Sequence, residues 1–231
     1  MSLVADARIL LKLLRGMPSR GEAASRLEGF YAGQAEAYDA FRERLLHGRR
    51  ELMQQLNLPK DAWVVELGGG TGRNIDFLGP LVSQIQQYEV VDLCPSLLKI
   101  ARQRSQHRSN VKVTEADACT YQPEIPVDCV IFSYSLTMIP DWQSALNNAM
   151  TMLKSGGKIA VVDFTLSERQ GGLISAFWRK WFSHDGVHLN PAQRHSLQRM
   201  FPNANYSEYF AKVPYLPFIR VPYYQFVGVK A

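Results

Sequence analysis

Residues 64–78 read VVELGGGTGRNIDFL. A short apolar run leads into an acid, a glycine-dense turn and a helix-like segment. Glycine costs backbone entropy, and it is used where the chain must turn tightly or lie close to a ligand. The stretch therefore predicts a strand, a tight turn and a helix N-terminus, with a ligand seated against the turn.

The same alternation continues toward the C-terminus. AWVVEL (62–67), IQQYEVVDL (85–93), VKVTEA (111–116), VDCVIFSYSL (127–136) and KIAVVDF (158–164) read as strands. RNIDFLGPLV (73–82), SLLKIARQR (96–104) and QSALNNAMTML (143–153) read as the helices between them. Strands that are apolar on both faces and separated by helices imply an α/β fold with a parallel, doubly wound sheet. Residues 171–201 look helical and irregular, and the tail at 205–230 reads as two strands around a proline-rich connection, an antiparallel hairpin at the sheet edge. Upstream, residues 3–17 form an amphipathic helix broken by the PSRG at 18–21, and a helical region covers about 24–56. The expected organisation is an N-terminal helical extension or lid over 1–60 and a ligand-binding domain over 61–231, with an acceptor-side insertion near 165–201.

Bulk properties set limits. The chain has 231 residues, 46% of them hydrophobic, and a formal net charge of +5. No apolar run reaches the roughly 20 residues of a membrane-spanning helix. Asp6, Arg8, Lys12 and Arg15 interrupt the N-terminal apolar segment, so it lacks a signal-peptide design and the expected location is cytoplasmic. Cys94, Cys119 and Cys129 form no metal-ligand pattern, and the expected metal is none. A mild basic excess suits an anionic partner such as a phospholipid surface or a nucleic acid, without choosing between them.

In a doubly wound sheet, ligands bind at the carboxyl ends of the strands, where strand order reverses. The glycine loop lacks the lysine of a phosphate loop, and Gly68, Gly70 and Gly72 depart from dinucleotide spacing by placing Arg73 at the sixth position. Glu66 ends the first strand. Asp92 ends the second, followed by Leu93, where a carboxylate can accept ribose hydroxyls. Asp117 and Ala118 follow the third, with Asp117 placed for an exocyclic amine, and Ser133 and Tyr134 end the fourth. Each residue alone could be a helix cap or a solvated loop position.

As a set, VVELGGGTGRN (64–74), VVDLCPSLL (90–98), EADA (115–118) and VIFSYSLTMIPDW (130–142) resemble the motif series of class I S-adenosylmethionine-dependent methyltransferases. The resemblance implies a Rossmann-like seven-stranded sheet that binds S-adenosylmethionine and releases S-adenosylhomocysteine. It puts Gly68, Gly69, Gly70 and Gly72 under the methionine portion, Asp92 on the ribose and Asp117 on the adenine amine, with Tyr38, Glu66, Leu93, Ala118 and Ser133 completing the cofactor site. The fourth strand ends in SYSL (133–136) rather than in the Asn/Asp-Pro-Pro-aromatic motif of base methylators. With no readout motif either, no nucleic-acid partner is expected.

Three flanking stretches, YDAFRERLLHGRREL (38–52), WFSHDGVHLN (181–190) and VPYLPFIRVPYYQFVGVK (213–230), resemble the betaine-lipid-forming N-methyltransferases, which trimethylate diacylglyceryl-homoserine. The expected acceptor is then a lipid head-group amine. Phosphatidylethanolamine, a quinone precursor, a small soluble amine and a non-catalytic regulator remain open alternatives. An amine must present a neutral lone pair, so a proton acceptor is needed. His184, Asp185 and His188 are the candidates, and Tyr31, Tyr38, Tyr134, Tyr223 and Tyr224 could wall the quaternary product. His47, His107 and His195 are expected to be solvated. Peripheral contact with an anionic membrane is expected through the N-terminal helix and FWRKWF (177–182). The oligomeric state is left open.

Overall fold

The computed structural model describes residues 28–29, 43–184, 186–213 and 216–231, without the side chains of His184 and residues 216–218. The sheet is built from β1 (Trp63–Leu67), β2 (Gln87–Asp92), β3 (Val111–Glu115), β4 (Val127–Ser133), β5 (Leu153–Phe164), β6 (Asn205–Val213) and β7 (Leu216–Val229). Its order is β3-β2-β1-β4-β5-β7-β6. Strands β1 to β5 pair in parallel, while β7 runs antiparallel to both β5 and β6. Strand order reverses between β1 and β4, and the glycine loop leaves β1 at that point. The expected doubly wound sheet with an antiparallel C-terminal hairpin is therefore what forms.

Alternate strand residues feed two cores. On one face Val64, Val90, Ile131 and Val162 pack with Leu52, Met53, Ile75 and Leu98. On the other, Val65, Val91, Val130 and Val161 pack with Ala145, Leu146, Leu197 and Phe201. The first face is covered by α1 (Arg49–Gln55), α2 (Asn74–Phe77) and α3 (Pro95–Ser105). The second is covered by α4 (Trp142–Met152) and α6 (Pro191–Met200). Side chains at period two serve opposite faces, which is why these strands read as continuous apolar runs.

Helix starts follow local chemistry. Asp141 accepts the Ser144 N–H (3.1 Å) and Asn190 accepts the Ala192 N–H (3.0 Å), each cap contributing about 1 kcal/mol. Pro95 and Pro191 occupy first-turn positions, where the missing N–H has no cost.

Two expectations need correction. The helix expected over 24–56 is interrupted in its described part, because Gly48 takes φ +81° and caps α1 from outside. A Cβ at Gly48 would meet Tyr223 Cε2 at 2.5 Å, so the turn is fixed by β7 packing against it. The helix expected over 73–82 stops at Phe77 and gives way to a 3-10 turn over Gly79–Gln84, since Pro80 and a left-handed Gly79 break the α ladder. The boundary expected near residue 60 separates α1 from β1 in sequence, yet Leu52 and Met53 are fully buried in the sheet's core.

Candidate functional site

The glycine loop is held by short bonds from both sides. Gly68 N–H donates to Val91 O (2.8 Å), Gly69 N–H to the same carbonyl (3.1 Å), and Gly72 N–H to Gly69 O (3.0 Å). Gly68, Gly70 and Gly72 all have positive φ, at +69°, +55° and +66°, which favours glycine. Packing adds a second reason at two positions. A Cβ on Gly68 would sit 2.4 Å from Ser135 Cβ, and one on Gly69 2.8 Å from Val90 Cγ1. These glycines make room for the protein's own side chains, a demand that the sequence reading assigned to the ligand. Ser135 also donates to Leu67 O (2.7 Å), so the loops after β1 and β4 interlock across the switch point.

Asp92 sits at the end of β2 and is half-buried. Its Oδ2 accepts the Gly70 N–H and its Oδ1 the Cys94 N–H, each at 2.9 Å. The carboxylate therefore ties the glycine loop to the start of α3. A carboxylate has about four acceptor sites, so this duty is compatible with also accepting ribose hydroxyls. Leu93, next in the chain, is also half-buried.

Glu66 is placed differently. It is 1% exposed, accepts from Tyr88 Oη (2.7 Å) and from Asn74 Nδ2, and lies beneath the loop. Burial pushes its carboxyl up to about 7, against the lowering effect of both hydrogen bonds. Its geometry is that of a brace for the strand–turn–helix unit. Arg104 adds a further brace by donating to Thr71 O, while also pairing with Asp76 (3.2 Å).

Asp117 is exposed after β3, with Oδ1 accepting the Cys119 N–H (2.8 Å), and Ala118 is buried beside it. Ser133 is buried at the end of β4, and its Oγ has no hydrogen-bond partner among the described residues. S-adenosylmethionine fits this set. Asp92 and Asp117 stand at neighbouring strand ends, where the resemblance expects ribose and adenine, and the Ser133 hydroxyl, without a partner among the described residues, lies at the switch point.

The extension reaches the same loops. Glu28 Oε2 accepts from Ser96 N–H (3.1 Å) and Ser96 Oγ (2.8 Å), at the N-terminus of α3. The Ser96 N–H holds its carboxyl below the usual range, opposed by desolvation. Tyr38 and Tyr31 lie outside the described residues.

The edge expected to face the acceptor combines the ends of β4 and β5 with the part of β7 paired to Phe164. Tyr134 has φ +54°, uncommon for a bulky residue, and its hydroxyl donates to His47 O (2.7 Å). It is 3% exposed, and burial pushes the hydroxyl well above its ordinary range. That group is a donor holding the 46–48 turn and is not available as a base. Its ring meets Phe164 edge-on at 4.6 Å. Tyr223 and Tyr209 stack at 5.3 Å, both partly exposed, whereas Tyr224 is buried on the other core.

His188 is exposed, and its backbone N–H donates to Thr137 O (2.7 Å), which pins the 186–190 segment to the loop after β4. Asp185 and the His184 side chain lie outside the described residues. His47 differs from expectation: its ring lies 6.4 Å from Tyr223 and its Nε2 is buried without a described partner, so it is packed at this edge and not solvated. His107 and His195 are exposed as expected.

The sequence reading also missed Asp163. This buried residue at the end of β5 accepts from Thr137 N–H (3.0 Å), Thr137 Oγ1 (2.7 Å) and Phe164 N–H (2.8 Å). It thereby fixes the loop to which His188 is tied. Burial pushes its carboxyl up to about 6. The signal was present, since VVDF carries an acid directly after two valines, as VVEL does at Glu66 and VVDL at Asp92.

Comparison with known proteins adds to this geometry. A methyltransferase-domain family profile matches residues 36–208. The ubiquinone/menaquinone biosynthesis C-methyltransferase of Saccharophagus degradans is 25% identical over 153 residues, covering 62% of this chain and 61% of that protein, so the chain spans about three fifths of its length. The 2-phytyl-1,4-naphtoquinone methyltransferase of Thermosynechococcus vestitus is 26% identical over 178 residues, covering 74% and 76%. Among solved structures, Haemonchus contortus phosphoethanolamine N-methyltransferase 2, in complex with S-adenosyl-L-methionine, superposes with a TM-score of 0.69 at 14% identity over 92% of this chain and 60% of that one. Profile, strand order and the loops at the switch point agree: the chain belongs to the methyltransferase-domain family, with the class I fold and S-adenosylmethionine as cofactor.

Proposed function

We propose that this chain transfers a methyl group from S-adenosylmethionine to the amine of a lipid head group, with diacylglyceryl-homoserine as the acceptor. The observation that carries the reading is the tether from His188 N–H to Thr137 O (2.7 Å). It ties the backbone of an exposed histidine to Thr137, in the loop that begins with Tyr134 and Ser135 after β4, which supports a proton acceptor beside that loop. The flanking stretches that resemble betaine-lipid N-methyltransferases include this segment.

The cofactor supplies an activated methyl on a sulfonium, so the chain's task is alignment and proton management. His188 takes a proton from the ammonium, directly or through water, and leaves a neutral lone pair. Asp163 and Thr137 keep that loop in place. The partly exposed faces of Tyr223 and Tyr209 offer π surface to the cation that forms, a contact contributing about 0.5–2 kcal/mol.

A second reading is methylation of a ring carbon in a quinone precursor. The names of the two curated relatives favour it, at 25% and 26% identity. One experiment separates them. The chain is incubated with labelled S-adenosylmethionine and vesicles carrying diacylglyceryl-homoserine, phosphatidylethanolamine or a demethylated quinol, and the product is mapped by mass spectrometry. The first reading expects label on the head-group nitrogen. Label on a ring carbon replaces it with the second.

A further inference from the structure

Helix α5 (Gly172–His184) has two apolar faces, of which the described residues cover one. Trp178 and Phe182 turn inward, 2% and 6% exposed, into the core beneath Tyr134 and Phe164. Leu173, Ile174, Phe177 and Trp181 remain outside at 90%, 49%, 44% and 39%. Leu173, Phe177 and Trp181 recur every four residues, so they form one stripe with Ile174 beside it. FWRKWF is thus divided by the fold: its exposed half joins Leu173 and Ile174, which the sequence reading did not single out.

The border of the stripe is basic. Lys180 lies three residues from Phe177 and seven from Leu173, beside both on the helix, and Arg179 follows around the polar side. Arg169, just before the helix, is exposed as well. GLISAFWRKWFSH contains no acid. Apolar side chains including tryptophan, bordered within the helix by cations alone, complement an anionic lipid surface: the rings enter the interface and the cations meet the head groups, while the nearby exposed Glu168 pairs with Arg194 at 3.0 Å. A bilayer accepts such side chains without the shape complementarity that a protein partner requires.

The stripe is also continuous with the acceptor edge. Tyr134 meets Phe164 at 4.6 Å, Phe164 meets Phe182 at 4.5 Å, and Phe182 meets Trp178 at 5.5 Å. Trp178 meets Phe177 at 5.1 Å, and Phe177 meets Trp181 at 5.7 Å. One contiguous series of aromatic contacts runs from the end of β4 to the outer face of α5.

We infer that the outer face of α5 docks on an anionic phospholipid bilayer, which holds the acceptor edge beside the membrane so that an amphipathic acceptor arrives without crossing water. The inference does not depend on whether the methyl goes to nitrogen or carbon, and its test needs no turnover.

Flotation of the full chain is measured with vesicles of phosphatidylcholine alone and of phosphatidylcholine with phosphatidylglycerol. Binding should favour the anionic vesicles and weaken as salt rises. Leu173→Ser with Phe177→Ser should lower partitioning about tenfold or more, because two inserting side chains are lost. Melting temperature and S-adenosylmethionine affinity should stay near wild type, since both side chains are exposed. Acyl-brominated anionic vesicles should quench Trp181 fluorescence, and Trp181→Phe should remove that component while keeping most of the flotation. If the double variant melts early, the Trp181 quenching decides. Failure to bind anionic vesicles at low salt overturns the inference. So does a self-association that the double variant dissolves, or vesicle binding that appears only after deletion of residues 1–17, because the stripe would then serve a second copy or the chain's own N-terminus.

Discussion

The cofactor half and the proposed acceptor half of this molecule are built by different means. Around β1, β2 and α3, short loops meet through backbone groups: Gly68 and Gly69 donate to Val91 O, and Gly70 donates to Asp92. Around β4, β5 and β7, side chains from distant parts of the chain make the surface. Tyr134 reaches His47, Gln225 donates to Gly48 O (2.7 Å), and Thr137 rests on Asp163. A site made of backbone tolerates few sequences and therefore leaves a motif. A site made of long-range packing can be reached from many sequences and leaves only scattered signs.

The largest effect should come from breaking the cofactor half at its tightest point. Gly68→Ala forces a side chain into φ +69° and sets its Cβ 2.4 Å from Ser135 Cβ. The two costs together are about 2–5 kcal/mol. Denaturant unfolding should show the loss, and calorimetry should show cofactor binding abolished. A stable variant that still binds would mean the interlock with the β4 loop is slack.

Glu66 sharpens the comparison through pH. Its folded pKa is raised from 4.5 to about 7, so the folded state holds an extra proton between those values. Its contribution is fully present below about 4.5 and is lost as pH rises through about 7. Glu66→Gln should therefore gain on wild type by about 3 kcal/mol between pH 4.5 and pH 8, read as the change in their unfolding difference. A pH-independent difference would mean that Glu66 stays ionised on Tyr88 and Asn74.

His188→Ala tests the acceptor half. Turnover should fall about 100-fold, about 2.7 kcal/mol, with cofactor affinity nearly intact. A threefold loss would leave His188 as a positioning group, and parallel loss of cofactor affinity would erase the division between the halves.

The smallest of these effects is set for Asp92→Ala. Removing the carboxylate that holds the Gly70 and Cys94 N–H groups should weaken S-adenosylmethionine at least tenfold in calorimetry, about 1.4 kcal/mol or more. Unchanged affinity would remove Asp92 from the site and leave it as a loop tie.

How far each half could be read from sequence follows the same division. VVELGGGTG, VVDL and EADA placed the strands, the switch point and the acids, because the tight turn restricts φ and strand ends restrict side-chain direction. Asp163 carried the same sign in VVDF, yet its partner Thr137 lies 26 residues away and is joined to it only by folding. His47 looked like a solvated residue of a helix until Gly48 broke that helix against Tyr223.

The sequence by itself determined the layering, the parallel strands, the antiparallel closing pair and the glycine turn after the first strand. Those features rest on period-two burial, glycine backbone freedom and the fixed hand of strand–helix–strand units, all local quantities. Only the tertiary structure decided which aromatic residues of α5 face the core and which face outward, that Tyr134 spends its hydroxyl on His47 O, and that the His188 backbone is tied to the loop after β4. Those outcomes depend on contacts between residues tens of positions apart, and no local propensity encodes such a distance.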